Sequence, residues 1–205
     1  MLPLLPAVAA FGVSYGVLAR TAGMGSLAPI VMSATTFAGS AQFAVASIIE
    51  SAGGLAAAIA AAVMLNARYA PMGIAVAPGF TGPRWRRLLE SQLIVDESWA
   101  LSAREGGTFD VPFLLGAGLT LYPTWVGSST VGVLAGDLLG DPERLGLDAA
   151  FPALFLALLA PMVRTNRALL AALLGGAIAV VLLPVSAAGV PIIAGAAGCL
   201  VGWRR

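Results

Sequence analysis

The chain has 205 residues, of which 59% are hydrophobic and only 10% charged, with a net charge of +1 and no histidine. Soluble domains carry roughly 25% charged residues, so a water-exposed surface is excluded for most of this chain. The near-neutral charge excludes a basic nucleic-acid footprint, and the lack of histidine excludes Ser-His or Cys-His catalysis.

A mean hydropathy of +0.93 points to an all-α integral membrane protein. A crossing helix needs about 20 apolar residues, and about seven transmembrane helices are expected: 3–19, 27–49, 54–80, 111–136, 149–163, 168–185 and 190–203. The first run has no preceding positive residue, so it reads as a bundle helix rather than a signal sequence. The second, 27–49, contains Ser33-Ala34-Thr35-Thr36-Phe37-Ala38-Gly39-Ser40-Ala41-Gln42-Phe43. Small and hydroxylic residues permit close helix packing or a local unwinding. Gln42 favours the unwinding, because an amide has no role facing lipid.

The third run carries Asn66-Ala67-Arg68-Tyr69-Ala70-Pro71. Pro71 cannot donate to the Ala67 carbonyl, which predicts a helix break beside Arg68. An intramembrane arginine demands a partner; Asp96, Glu97 and a substrate carboxylate are the candidates. Segment 88–104 is helical by pattern but carries Glu90, Asp96 and Glu97, and the surrounding 84–105 is expected to lie on the cytoplasmic face as an amphipathic helix or, alternatively, to be embedded as a protein-shielded crossing. The fourth run holds Pro123, Trp125 and a Gly-Ser-Ser-Thr stretch. A buried Trp125 indole needs an acceptor.

Ten of the eleven basic residues, all arginines, fall outside the apolar runs, and all of these but Arg144 follow runs one, three, five or seven. Alternating crossings place those nine on one side, the cytoplasm, with the N-terminus outside and 137–148 outside. Gly16-Val17-Leu18-Ala19 recurs as Gly132-Val133-Leu134-Ala135. With Gly23…Pro29 echoed by Gly146…Pro152, this suggests inverted three-helix repeats. Repeat one would cover about 1–83 and repeat two about 106–186, within a single transporter domain of 1–205, with an extra helix at 190–203 and broken helices near the midplane. No metal cluster or nucleotide loop is evident, so neither cofactor nor enzymatic activity is expected.

These motifs together resemble the AzlC family, the large subunit of bacterial branched-chain amino-acid exporters. The resemblance rests on Phe37 to Phe43, Asn66-x-Arg68, Asp96-Glu97, Trp125 with Gly132 and Gly136, and Gly146 to Phe155. It departs at Tyr69, where the family usually has histidine, and a longer basic N-terminal extension found in many members is not seen. The resemblance implies export of valine, leucine and isoleucine, with methionine a further substrate, from a multi-pass protein of the bacterial cell membrane. It also implies a small hydrophobic AzlD-type partner. The substrate site expected from the residues is Gly39, Ser40, Gln42, Phe43, Asn66, Arg68 and Trp125. Asp96, Glu97 and Asp148 are the expected ion-coupling groups. A channel or a non-transporting membrane scaffold is the alternative.

Overall fold

The computed structural model describes residues 2–50, 52, 54–139, 156, 159–160, 163–186 and 190–202. Among these residues the chain is helical: α1 Leu5–Thr21, α2 Leu27–Thr36, α3 Gly39–Glu50, α4 Leu55–Asn66, α5 Tyr69–Val76, α6 Arg84–Ser91, α7 Asp96–Ser102, α8 Val111–Leu139, α9 Asn166–Leu182 and α10 Val190–Gly195. An Ala103–Phe109 bridge closes the turn before α8. Most of the expected 149–163 run, Asp148, and the Gly146…Pro152 half of the repeat lie outside the described residues. The run at 190–203 is a short helix, α10, followed by a 3-10 segment at Ala196–Gly202.

α1 and α8 form the spine. Gly12 and Gly16 on α1 lie against Ser128, Ser129 and Gly132 on α8, and Gly132 and Gly136 against Val13 and Val17 on α1. An added Cβ at Gly16 would lie 2.3 Å from the Ser129 carbonyl oxygen, and one at Gly132 would lie 2.2 Å from that of Val13. Both glycine pairs have the small-xxx-small spacing that lets backbones touch. Contacts run from Gly12–Ser128 to Gly136–Arg20, so the two helices are parallel. The Gly-Val-Leu-Ala recurrence is therefore a shared packing seam. An inverted repeat would have set these two helices antiparallel.

The run at 27–49 does not cross. Ser33 and Gln42 are nine residues apart, which is roughly 13 Å along a continuous helix. Yet Gln42 Nε2 donates to Ser33 Oγ at 2.8 Å. The chain reverses at Phe37, whose φ of 45° and ψ of 49° are left-handed. That conformation costs a non-glycine residue roughly 1–2 kcal/mol. Phe37 is 6% exposed, and its ring meets Tyr122 edge-on at 5.1 Å. Phe43 on the returning α3 stacks on Phe11 of α1 at 4.3 Å, while Tyr15 reaches Met32 on α2. Both arms thus lie beside the same half of α1, as in a re-entrant helical hairpin.

α4 and α5 then traverse the bundle. Leu55–Gly79 is, among the described residues, the one helical stretch long and apolar enough to cross by length and composition alone. The expected break at Pro71 is muted. Ala67 and Arg68 keep right-handed helical angles, and Ala70 N–H donates to the Ala67 carbonyl at 3.2 Å. The acceptor that proline leaves vacant is thereby taken by a tighter turn. Pro123 likewise sits inside an unbroken α8 of 29 residues.

Segment 84–105 lies neither flat on the face nor across. Its ends flank the start of α8, near Gly79 and Val111, where a Cβ on Gly79 would meet the valine side chain at 2.5 Å. Its tip reaches inward: Leu93 abuts Gly118, and Val95 packs in one cluster with Leu121 and Trp125. α6 and α7 are a second re-entrant hairpin, inserted from the end opposite to the first.

This arrangement corrects the expected topology. Because 27–50 returns to the end it left, Arg20 lies at the opposite end from Arg84, Arg86, Arg87 and Arg104. The start of α1 lies in the half of the bundle that holds 84–105, not in the opposite one. The end of α8 at Leu139 is opposite 84–105, as expected.

Candidate substrate site

The two hairpins meet at the middle of α8. The last carbonyls of a helix need partners outside it. Here Tyr122 Oη donates to Ala34 O at 2.7 Å, and Gln92 Nε2 to Thr35 O at 2.8 Å. The second hairpin therefore caps the open end of α2. Across the gap, Gln42 Oε1 accepts from Ala38 N–H at 3.2 Å and from Trp125 Nε1 at 2.9 Å. Gln42 is wholly buried and its amide is occupied on both sides. The expectation that it faces substrate is corrected: it locks the reversal and holds the indole.

Arg68 sits at the junction and is the most connected side chain there. Nε and Nη2 donate to the two oxygens of Asp96 at 3.0 and 2.7 Å. Nη1 donates to Leu65 O at 2.7 Å and Nη2 to Ser40 Oγ at 2.7 Å. The guanidinium carbon lies 4.9 Å from the Tyr69 ring centroid. This planar, forked pairing is the geometry that favours arginine over lysine. It ties α3, α4 and α7 together in a single contact. Of the three partners considered for Arg68, the structure supplies Asp96. Removing two charges from water costs several kcal/mol per ion, so the pairing has to be of this quality. Both side chains remain about one-fifth exposed, at 22% and 18%, which moderates that cost.

Beside this pair lies a cavity of about 30 Å³, room for about one water. Gly39, Ser40, Tyr69, Asp96 and Glu97 form its polar side, and Phe11, Phe37 and Trp125 its aromatic side. Gly39 opens the space: a Cβ there would come within 2.9 Å of Phe11 and 3.1 Å of Trp125. α7 carries its carboxylates inward while its two serines are satisfied locally, and the Trp99 Nε1 is left buried without a hydrogen-bond partner. Ser98 Oγ accepts from Val95 N–H at 3.0 Å and donates to Leu93 O at 2.7 Å.

Of the expected site residues, Gly39, Ser40, Trp125, Asp96 and Glu97 line the cavity, and Arg68 adjoins it. Phe43 stacks behind, on Phe11. Asn66 lies away from the cavity with a buried, unpartnered Oδ1. Asp148 lies outside the described residues. Sequence reasoning missed Val8, Phe11, Val95 and Leu121 as wall residues; as ordinary apolar positions in apolar runs, they carried no distinguishing signal.

The AzlC protein family matches residues 3–139, which contain both hairpins and the whole cavity. A membrane protein of Archaeoglobus fulgidus with no assigned function is 33% identical over 98% of this chain and 90% of its own length. A second such protein, from Helicobacter pylori, is 26% identical over 84% of this chain and 76% of its own. The branched-chain amino acid transport protein AzlC of Bacillus subtilis is 26% identical over 76% of this chain and 62% of its own. No solved structure matches. A charge-paired, aromatic-walled cavity between two helical hairpins thus falls wholly within the matched region, and the chain is a membrane protein belonging to the AzlC family.

Proposed function

We propose that the chain is the large membrane subunit of a secondary branched-chain amino-acid exporter. The observation that carries this reading is the Arg68–Asp96 pair on the wall of the cavity between the hairpins. A branched-chain amino acid is a zwitterion with an apolar tail. Its carboxylate can replace Asp96 on the Arg68 fork, and its ammonium can take Asp96 and Glu97. Charge stays balanced with and without substrate. Ser40 and Tyr69 border the charged groups, and Phe11, Phe37 and Trp125 receive the tail. One methylene changes binding by only about 1–3 kcal/mol in an apolar pocket, so valine, leucine, isoleucine and methionine share the site. The name of the Bacillus subtilis relative supports the substrate class.

A cavity of about 30 Å³ is far below the roughly 300–1,000 Å³ of ligand sites. The described conformation is therefore too tight to hold the substrate, and transport requires a hairpin to move. The α6–α7 hairpin is the mobile element, since its outer arm is largely exposed and its tip is released once Gln92–Thr35 and Arg68–Asp96 part. Glu97 and Asp148 are the groups for ion coupling. The end carrying Arg84, Arg86, Arg87 and Arg104 faces the cytoplasm, and a small AzlD-type subunit completes the transporter in the cell membrane.

Counterflow in proteoliposomes, with and without the small subunit, tests this. Exchange of leucine, valine and isoleucine, with glutamate and lysine excluded, is expected. Absence of counterflow for every branched-chain amino acid with the small subunit present rejects the carrier, and unitary currents in planar bilayers would reassign the chain as a channel.

A further inference from the structure

A second cavity lies on the outer side of α6, away from the substrate site. It is a groove of about 350 Å³ between α5 and α6, with Ala77, Phe80, Leu88 and Ile94 on its walls and Arg84 and Arg87 at its edge. Arg84 and Arg87 are three residues apart, so they share one face of the helix. Both are exposed. Their neighbours are differently placed. Arg86 is paired with Glu90 at 2.8 Å and Arg104 with Asp110 at 2.8 Å, whereas no acidic partner among the described residues meets Arg84 or Arg87. Trp85 is 65% exposed and Leu88 71% exposed on the same short helix, which is the composition of a headgroup-level anchor.

We infer that this groove is a binding site for an anionic phospholipid: Arg84 and Arg87 hold the phosphate and the α5–α6 groove takes the upper part of one acyl chain. Charge complementarity selects the occupant. Two unpaired guanidiniums offer forked donors to a phosphate; a singly anionic headgroup offsets one of their two positive charges, whereas a net-neutral headgroup offsets neither. The wall beyond the arginines is apolar, which an inorganic anion cannot use. α6 is the outer arm of the hairpin that carries Asp96 and Glu97. A lipid bridging α5 and α6 therefore holds that arm against the helix that carries Tyr69.

The test is binding, independent of transport. Purified full-length protein in a neutral detergent is titrated with phosphatidylglycerol, phosphatidylcholine or inorganic phosphate, and bound lipid is read by native mass spectrometry and thermal shift. Phosphatidylglycerol should bind and stabilise in preference to phosphatidylcholine. The double variant Arg84→Gln, Arg87→Gln should lower the apparent phosphatidylglycerol affinity about tenfold or more, while Arg86→Gln leaves it unchanged. Gly73→Leu keeps both charges and fills the groove; nothing lies within 4 Å of a Cβ there, so folding is not opposed. It should also weaken phosphatidylglycerol. Equal binding of the two lipids, equal stabilisation by inorganic phosphate, or phosphatidylglycerol affinity undiminished in both the double variant and Gly73→Leu overturns the site.

Discussion

The two re-entrant hairpins are built on opposite principles. In the first, α2–α3, the reversal is sealed by a buried amide: Gln42 bonds Ser33, Ala38 and Trp125 with no exposure to solvent. In the second, α6–α7, the outer arm is exposed along its length, and the matching amide, Gln92, makes one exposed bond to Thr35. A buried hydrogen bond is costly to leave unmade, whereas an exposed one is readily exchanged for water. The same residue type therefore fixes one hairpin and only latches the other. On the proposed transport reading, the first hairpin is the wall and the second the gate.

The strongest way to break this comparison is at Arg68, the contact both hairpins share. Arg68→Ala should abolish leucine counterflow. Arg68→Lys should cut it more than tenfold, because one ammonium cannot hold both Asp96 oxygens, Ser40 and the Leu65 carbonyl in a planar fork. Near-normal leucine counterflow by Arg68→Lys, in protein that elutes as a single folded species, would remove the anchor role. Next in size is Gln42→Leu. It leaves the Trp125 and Ala38 N–H groups buried without an acceptor and should cost about 1–3 kcal/mol, seen as a lower midpoint of thermal unfolding in detergent.

Gly16→Ala tests the spine against which both hairpins pack. Its Cβ would meet Ser129 O at 2.3 Å, so α1 and α8 must separate, at about 1–3 kcal/mol. Gly127→Ala on the same α8 meets nothing within 4 Å and should be neutral. Equal unfolding temperatures for the two variants would refute the parallel seam. Gln92→Ala should change stability by less than about 1 kcal/mol. It should nevertheless speed thiol labelling of a Ser40→Cys reporter in the cavity, which a mere structural bond in a closed wall would not do.

The smallest effect is at the start of α8. The Phe113 N–H, and then the Arg104 guanidinium, hold the Asp110 carboxyl below its ordinary value. A depressed folded-state value means the cap contributes above the unfolded value of about 4 and is lost as pH falls through the folded one. Amide exchange at Phe113, read against Asp110→Asn, should be alike at pH 7 and 5 relative to the variant, and should lose its protection only below about pH 4.

Much of the site was legible because polar residues in an apolar chain are conspicuous. Arg68, Asp96, Trp125 and Gln42 each stand out against lipid, and each proves to be part of one connected junction. Their pairings were not legible. The amide of Gln42 was expected to face substrate and instead faces Trp125, a residue 83 positions away. Phe11 escaped notice because a phenylalanine in an apolar helix announces nothing until another ring stacks on it.

By itself the sequence determined the membrane environment and the helical class. Hydropathy measures how readily a segment leaves water, and that is a local sum over residues. Direction is not local. The hydroxyls and amide of the run 27–49 mark it as a place to unwind, but the reversal falls at Phe37, itself neither glycine nor proline. Only the tertiary structure made a left-handed phenylalanine tolerable, by packing it on Tyr122 and giving the Ala34 and Thr35 carbonyls and the Ala38 N–H side-chain partners. The same holds for the glycine recurrence. Its letters were visible as a repeat, but close approach of two backbones, parallel and in register, is a property of the pair, and it turned the repeat into a seam.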